Sequence, residues 1–145
     1  MNKYIILMGV GVLLLLAGVG YRIFLLPESS IPVETGIIRE ITIVAKKDEW
    51  RFAPEMIEVN RGDRIKLKLV NEDDYDHGLT IDAFGITPRM PANQTIEVVF
   101  VATQEGDFPF FCSVPCGEGA VNGEKRTHFD MIGTLHVRSA ISETK

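Results

Sequence analysis

Two patterns of apolar and polar residues divide the chain. Residues 4–26 read YIILMGVGVLLLLAGVGYRIFLL and contain a single charge, Arg22. At about 1.5 Å of rise per residue, a helix of this length crosses a hydrocarbon core of roughly 30 Å. Beyond it, apolar and polar residues alternate over short runs, as in RIKLKLV at 64–70. This period of two is typical of a half-buried strand, so the pattern predicts a membrane-spanning helix followed by a β domain.

Six other runs of the same kind complete the predicted domain. They lie at 40–45, 56–59, 77–82, 94–101, 107–112 and 131–137. Seven strands in about 100 residues, separated by Gly, Pro, Asn and Asp, predict an all-β fold of the Greek-key β-sandwich type. The predicted boundaries are an anchor at 1–26, a linker at 27–38, the sandwich at 39–138 and a tail at 139–145.

The apolar N-terminal segment has one competing interpretation, a cleaved signal peptide. Lys3 supplies a charged start, and LLAGVG offers small residues at a cleavage point. The apolar run continues through RIFLL, beyond the length of a usual signal-peptide core, which favours the anchor. Both interpretations export the domain. The short head with Lys3 favours an internal N-terminus, so we expect a single-pass protein of the cell membrane with its domain on the extracytoplasmic side.

Composition and charge limit the partners. With 145 residues, 46% of them hydrophobic, the chain has material for one core of ordinary size. From Leu26 onward there are 13 basic and 20 acidic residues, a net charge of −7. This charge argues against nucleic acid and anionic lipid as partners and is compatible with a basic soluble partner. The acidic run Glu72, Asp73, Asp74 and Asp76 is expected to attract such a partner, and a solvated loop is the plainer alternative.

Soft metal ligands are concentrated near the C-terminus. Cys112 and Cys116 follow an aromatic run, and His128 and Met131 precede the last predicted strand. Thiolate, imidazole and thioether together favour copper over zinc, magnesium or calcium. A further donor is needed from elsewhere, and His77, which opens a strand after a polar loop, is the natural candidate. The alternatives are a disulfide between the two cysteines and a purely structural role for Met131.

The spacing of these residues resembles that of a known family. His77-Gly78 is followed by Cys112-x-x-x-Cys116 and His128-x-x-Met131. Residues 50–63 also fit a W-x-F-x-P-x-x-I-x-V-x-x-G-D pattern. The chain therefore resembles the dinuclear copper (CuA) domain of cytochrome c oxidase subunit II, and more generally the cupredoxins, over roughly residues 40–138.

The resemblance implies a set of ligands for two copper ions. Cys112 and Cys116 would bridge the ions, His77 with Met131 would complete one, and His128 with the Val114 carbonyl the other. The chain departs from the family in one respect, because eleven residues separate Cys116 from His128 where the family has three. We expect the extra EGAVNGEKRT segment to bulge into solvent and return His128 to the site, because lengthening a flexible loop costs little. A mononuclear copper site is the alternative.

A metal held by thiolates with no open coordination position suits electron transfer. The few histidines leave no set of groups for hydrolysis. By resemblance we expect electrons to pass from a basic soluble carrier, such as a cytochrome c, to a membrane oxidase, with heme-copper oxidase subunit I as partner. The chain alone is expected to catalyse nothing and would form the electron-entry subunit. The alternatives are copper storage or delivery and a stand-alone mononuclear cupredoxin.

Trp50 is expected in the core and His136 on the surface.

Overall fold

The computed structural model describes residues 2–24 and 36–139 of the chain. The chain divides into two compact units, residues 1–32 and 33–145. Most of the predicted linker and tail lies outside the described residues. In the first unit, helix α1 spans Lys3–Phe24 and is long and apolar enough to cross a membrane. Its apolar side chains from Tyr4 to Val19 are exposed rather than packed into a core.

The described part of the second unit contains eleven strands. They are β1 Ile38–Ala45, β2 Phe52–Ala53, β3 Met56–Asn60, β4 Arg64–Asn71, β5 His77–Gly78, β6 Arg89–Met90, β7 Thr95–Val101, β8 Gly106–Phe111, β9 Glu118–Val121, β10 Glu124–Thr127 and β11 Ile132–Arg138. One sheet has the order β2-β1-β4-β7, and a second has the order β3-β11-β8. The pairs β1–β4 and β3–β11 are parallel, whereas β4–β7 and β8–β11 are antiparallel. The predicted class, an all-β fold with one N-terminal apolar helix, is confirmed.

The core of this unit follows from the alternation in the sequence. In β4, Ile65, Leu67 and Leu69 are buried, whereas Arg64 and Lys68 face solvent. In β11 the buried positions are Gly133, Leu135 and Val137. Burial of a Leu or Ile side chain stabilises a fold by about 1.5–3 kcal/mol, so these inward rows drive the packing of the two sheets. Trp50 is part of this core, as predicted.

The segment between Cys116 and His128 differs from the prediction. It forms a β-hairpin of β9 and β10 rather than an irregular bulge. Its turn is Asn122-Gly123, with φ of +53° and +85°, the backbone that Asn-Gly favours in a two-residue hairpin. A Cβ on Gly119 would lie 2.2 Å from the Trp50 ring, so the hairpin packs directly on the indole. The inserted residues are therefore an ordered part of the domain.

The predicted strand 77–82 is also shorter than expected. Only His77 and Gly78 form a strand, paired with Met90 and Arg89 of β6. Thr80 continues the chain as an isolated bridge to Phe111, and residues 82–84 turn into a short 3₁₀ helix. Residues 77–81 are all buried rather than alternating, and the hydrogen-bonding partner of the chain changes after two residues. Through this change of partner, the segment after β5 pairs with the end of β8, directly before Cys112.

Candidate metal centre

Most of the predicted metal ligands, with the exception of His128, meet at one end of the sandwich. His77 opens β5, Cys112 follows β8, and Met131 precedes β11. Backbone hydrogen bonds fasten these ends to one another, because Cys112 N–H donates to the Met131 carbonyl at 3.0 Å and Thr80 N–H donates to the Phe111 carbonyl at 2.9 Å. The ligand-bearing segments are thus positioned by pairing between strand ends rather than by a free loop.

The imidazole of His77 is fully buried and has a partner on each nitrogen. Nε2 lies 2.7 Å from Asp73 Oδ2, and Nδ1 lies 3.8 Å from Cys112 Sγ. Glycine suits the next position, because a Cβ on Gly78 would lie 2.4 Å from Ser113 Oγ and 3.0 Å from a Val114 methyl carbon. The His-Gly pair in the sequence therefore reflects a close approach of β5 to the segment after Cys112.

The two cysteines face each other as free thiols. Their Sγ atoms are 3.8 Å apart, far longer than the roughly 2.05 Å of a disulfide bond. Cys112 is buried, whereas Cys116 is half-buried. The nearest donor atoms of His77, Cys112 and Cys116 all lie within 4.8 Å of one another. In this conformation the disulfide interpretation does not apply, and the three donors converge.

Two further predicted ligands lie beside the cysteines. The Met131 side chain is fully buried, and its Sδ is 3.6 Å from Cys116 Sγ. The Val114 carbonyl oxygen is 3.2 Å from Cys112 Sγ. We call His77, Cys112, Cys116 and Met131 the donor cluster, since one nitrogen and three sulfurs adjoin there.

His128 is the predicted ligand that stands outside the donor cluster. It begins a 3₁₀ turn, His128–Asp130, held by a capping box between Thr127 and Asp130. Its backbone N–H donates to the Gly117 carbonyl at 3.2 Å, and its ring lies against Phe129. It does not belong to the described group within 4.8 Å. Its Nδ1 is nevertheless buried without a hydrogen-bond partner, which leaves a lone pair or a proton available inside the domain.

The donor cluster favours one thiolate before any metal binds. The hydrogen bond from Cys116 lowers the pKa of Cys112 to about 4, burial opposes this shift, and His77 adds to it. The same hydrogen bond, together with burial, raises the pKa of Cys116. Burial lowers the pKa of His77, but hydrogen bonds to Cys112 and Asp73 outweigh it and raise the pKa overall. Cys112 therefore carries the thiolate, which is the metal-binding form of cysteine.

The acidic run before His77 is not a free negative patch. Glu72 pairs with Lys46 at 3.1 Å, Asp74 with Lys47 at 2.9 Å, and Asp76 with Arg89 at 2.6 Å. Asp73 is fully buried. The expectation that this run attracts a basic partner therefore loses its local basis, and the overall negative charge of the domain remains.

The donors present fit copper. A buried cluster of one imidazole nitrogen, two thiol sulfurs and a thioether is a soft set, and thioether ligation is characteristic of copper rather than zinc. The unpartnered Nδ1 of His128 is a further donor close in sequence to Met131. Sequence reasoning missed Asp73, which looked like one of four solvated acids. It also missed the hairpin, although Asn122-Gly123 was the signal for it.

Comparison with known proteins gives the same fold. The chain is similar to auracyanin A, a "blue" copper protein from Chloroflexus aurantiacus, at 20% identity and a TM-score of 0.56, covering 70% of this chain and 99% of that one. A chain of a heme-copper terminal oxidase dimer is similar at 17% identity and a TM-score of 0.58, covering 94% and 97% respectively. The periplasmic domain of cytochrome oxidase subunit II from Bradyrhizobium japonicum is similar at 19% identity and a TM-score of 0.51, covering 69% and 83%.

These identities are low, so the structural similarities indicate a shared fold. A sequence search of curated proteins gave no significant match. A profile of the cupredoxin-like domain matches residues 23–121, a range that contains His77, Cys112 and Cys116. More than half of the chain is therefore matched. The chain belongs to the cupredoxin-like domain family.

Proposed function

We propose that this chain is a membrane-anchored copper protein that transfers electrons, as the CuA-bearing subunit II of a heme-copper oxidase or a close relative of it. The observation that carries the proposal is the donor cluster, in which two free thiols face each other at 3.8 Å beside His77 Nδ1 and Met131 Sδ. A mononuclear cupredoxin site requires one thiolate. A second cysteine aimed at the same point favours a pair of bridging sulfurs.

The proposed ligands divide between two ions. Cys112 and Cys116 would serve both ions, His77 and Met131 would hold the first, and His128 with the Val114 carbonyl would hold the second. Two observations support the second ion: the Val114 oxygen is 3.2 Å from Cys112 Sγ, and His128 Nδ1 is buried without a partner. Copper, when bound, supplies a one-electron couple between Cu(I) and Cu(II).

The protein itself holds these donors rigidly and excludes water from them. His77 and Met131 are 0% exposed and Cys112 is 5% exposed, so water has little access to them. Hydrogen bonds between Cys112, Thr80, Phe111 and Met131 fix the backbone on both sides of the cluster. A rigid, water-poor environment limits the rearrangement that accompanies a change of oxidation state.

The proposed location is the cell membrane, with α1 as a single-pass anchor and the copper domain on the extracytoplasmic side. The oxidase chain that covers 94% of this sequence supports a place beside heme-copper oxidase subunit I. The proposed electron donor is a basic soluble carrier such as a cytochrome c, which the net charge of −7 beyond the anchor would attract. Catalysis by the chain alone is not part of this proposal.

One observation favours a second candidate, a stand-alone mononuclear cupredoxin. His128 lies outside the tight group of donors and is separated from Cys116 by eleven residues, ten of which belong to the hairpin and its turn. The similarity to auracyanin A, a blue copper protein, is compatible with this alternative. Such a site takes two histidines and one cysteine with a weak methionine, so His77, His128, Cys112 and Met131 would hold one ion and Cys116 would be spare.

Copper counting on the full chain in detergent, combined with a transfer assay, tests the proposal. We expect two copper ions per chain that survive repeated reduction and reoxidation and stay bound when a competing apo-cupredoxin is added. Rapid loss of copper to the competitor would instead indicate a storage or delivery protein. Failure to bind copper under reducing, metal-replete conditions would overturn the proposed function altogether.

A further inference from the structure

Asp73 differs from the three other acids of its run. Glu72, Asp74 and Asp76 pair with lysine or arginine near the surface, whereas the Asp73 side chain is 0% exposed. Its charged partner within the described chain is His77. A buried carboxylate is costly unless hydrogen bonds compensate it, so its burial here requires a specific set of donors.

Both oxygens of the Asp73 carboxylate face a donor. Oδ2 lies 2.7 Å from His77 Nε2, and Oδ1 accepts the Asp48 backbone N–H at 2.7 Å. The backbone is held as well: Asp73 N–H donates to Asn71 Oδ1 at 2.9 Å, and Asn93 N–H donates to the Asp73 carbonyl at 3.0 Å. The carboxylate therefore has a fixed position and orientation relative to the imidazole.

This arrangement suits one tautomer of His77 when a metal is bound. The Asp73 carboxylate oxygen accepts a hydrogen bond from Nε2, so the ring keeps its proton there and Nδ1 is the nitrogen that gives up its proton to bind metal. Nδ1 is the nitrogen that faces Cys112 Sγ, at 3.8 Å. A metal ligand needs a lone pair on that nitrogen, and a carboxylate on the opposite nitrogen also makes the ring a stronger donor.

We propose that Asp73 is a positioning residue of the metal centre, which holds the His77 ring through Nε2–H with Nδ1 aimed at the cysteines. The inference rests on the proposed function only in taking copper as the group that Nδ1 binds. The same carboxylate also fixes the turn of residues 46–51 through Asp48, where Asp48 and Trp50 have φ of +55° and +44°. A single buried acid thus joins a ligand to the strained turn that carries Trp50.

The variant Asp73→Asn tests this role. Asparagine offers one acceptor and one donor group where both neighbours, His77 Nε2–H and Asp48 N–H, are donors, so one contact must fail or the ring must change tautomer. We would label the full chain with ¹⁵N-histidine in detergent, where three histidines give a simple spectrum. In the metal-free wild type we expect a proton on Nε2 of His77, hydrogen-bonded to Asp73, whether or not Nδ1 also carries one, and in Asp73→Asn we expect that hydrogen-bonded Nε2–H signal to be weakened or lost.

Copper measurements on the same samples give a second readout. Copper affinity is expected to fall roughly ten- to a hundredfold in Asp73→Asn, as is typical for loss of a partner behind a ligand, and the reduction potential is expected to rise. The matched control is Asp74→Asn, since that neighbouring carboxylate is 70% exposed and pairs with Lys47. The control is expected to change neither the Nε2–H signal, the affinity nor the potential.

The outcomes separate cleanly. A wild-type His77 without a proton on Nε2, or an Asp73→Asn protein with unchanged Nε2–H signal, affinity and potential, would overturn the role of Asp73. If Asp73→Asn does not fold, the Nε2–H signal of the wild type alone decides. If the wild type binds no copper, the proposed function fails, while the Nε2–H signal of the metal-free chain still supports or overturns the positioning role.

Discussion

The two halves of the candidate site are built in different ways. The donor cluster is buried within the sandwich, where His77 and Met131 are 0% exposed. The segment of residues 117–130, here called the arm, carries His128 and is largely exposed, with Phe129 at 74%. Strand pairing across the fold positions the cluster, whereas a local hairpin and a capping box position the arm.

This difference gives the two halves separate roles: the donor cluster binds metal, and the arm completes the site. Displacing a donor of the cluster would require moving the core, which costs several kcal/mol, whereas the arm is held by local contacts. Its clearest contact with the rest of the domain is the packing of Gly119 on Trp50. We therefore expect the cluster to bind the first ion and the arm to determine whether a second ion is held.

The largest effect is expected from His128→Ala. Removing this donor takes a ligand from the second ion only, so the copper content should fall from two ions to one per chain, and the absorption spectrum should change to that of a mononuclear site. The measurement is metal analysis with absorption spectroscopy. His136→Ala is the matched control, because this histidine pairs with Asp107 on the surface and should leave copper unchanged. Loss of all copper in His128→Ala would show that the halves are not separable.

The next effect is on stability. A Cβ at Gly119 would lie 2.2 Å from the Trp50 ring, so Gly119→Ala must displace the hairpin or the indole. We expect a loss of about 1–3 kcal/mol in the free energy of unfolding, as for overpacking generally. Urea unfolding of the metal-free chain measures it. In a Trp50→Leu background the penalty should largely disappear, and an equal penalty there would mean that the contact does not hold the arm.

A smaller effect is expected from Met131→Leu. The two side chains have similar volume, so the free energy of unfolding should change by less than about 1.5 kcal/mol although the site is fully buried. A thioether is a weak copper ligand that would tune the metal more than hold it, so copper should stay bound while the reduction potential rises. Redox titration measures this shift. Copper loss without a shift in potential would give Met131 a holding role.

The smallest effect concerns docking. The acids near His77 are paired with Lys46, Lys47 and Arg89, so they should contribute little to attraction of a basic carrier. The fall of the electron-transfer rate with salt, which screens charges over about 10 Å at 0.1 M, should therefore come from the net charge of the domain rather than from these acids. The double variant Lys46→Gln, Lys47→Gln should steepen this dependence by exposing the carboxylates. A dependence unchanged by the variant would show that these acids take no part in docking even when unpaired.

The sequence predicted the cluster better than the arm for a physical reason. Alternation in strands such as β4 and β11 identifies their buried faces. The pairing of β8 with β11 then brings Cys112 and Met131 together, independently of the structure of the loops. Loop length alone does not determine loop structure, so the hairpin was missed despite its Asn-Gly turn. Asp73 could not be distinguished from Asp74, because only tertiary burial separates an acid that orients His77 from one that pairs with a lysine at the surface.

The central claim is that the sulfurs of Cys112 and Cys116 both serve two copper ions. Electron paramagnetic resonance of the oxidised full chain, compared between the wild type and Cys116→Ser, tests this claim most directly. We predict that the wild type gives the hyperfine pattern of one unpaired electron shared equally between two copper nuclei. Cys116→Ser should give the pattern of a single nucleus or no bound copper, because it removes a ligand from both ions at once. A single-nucleus pattern in the wild type, unchanged in Cys116→Ser, would contradict the account and make the protein a mononuclear cupredoxin.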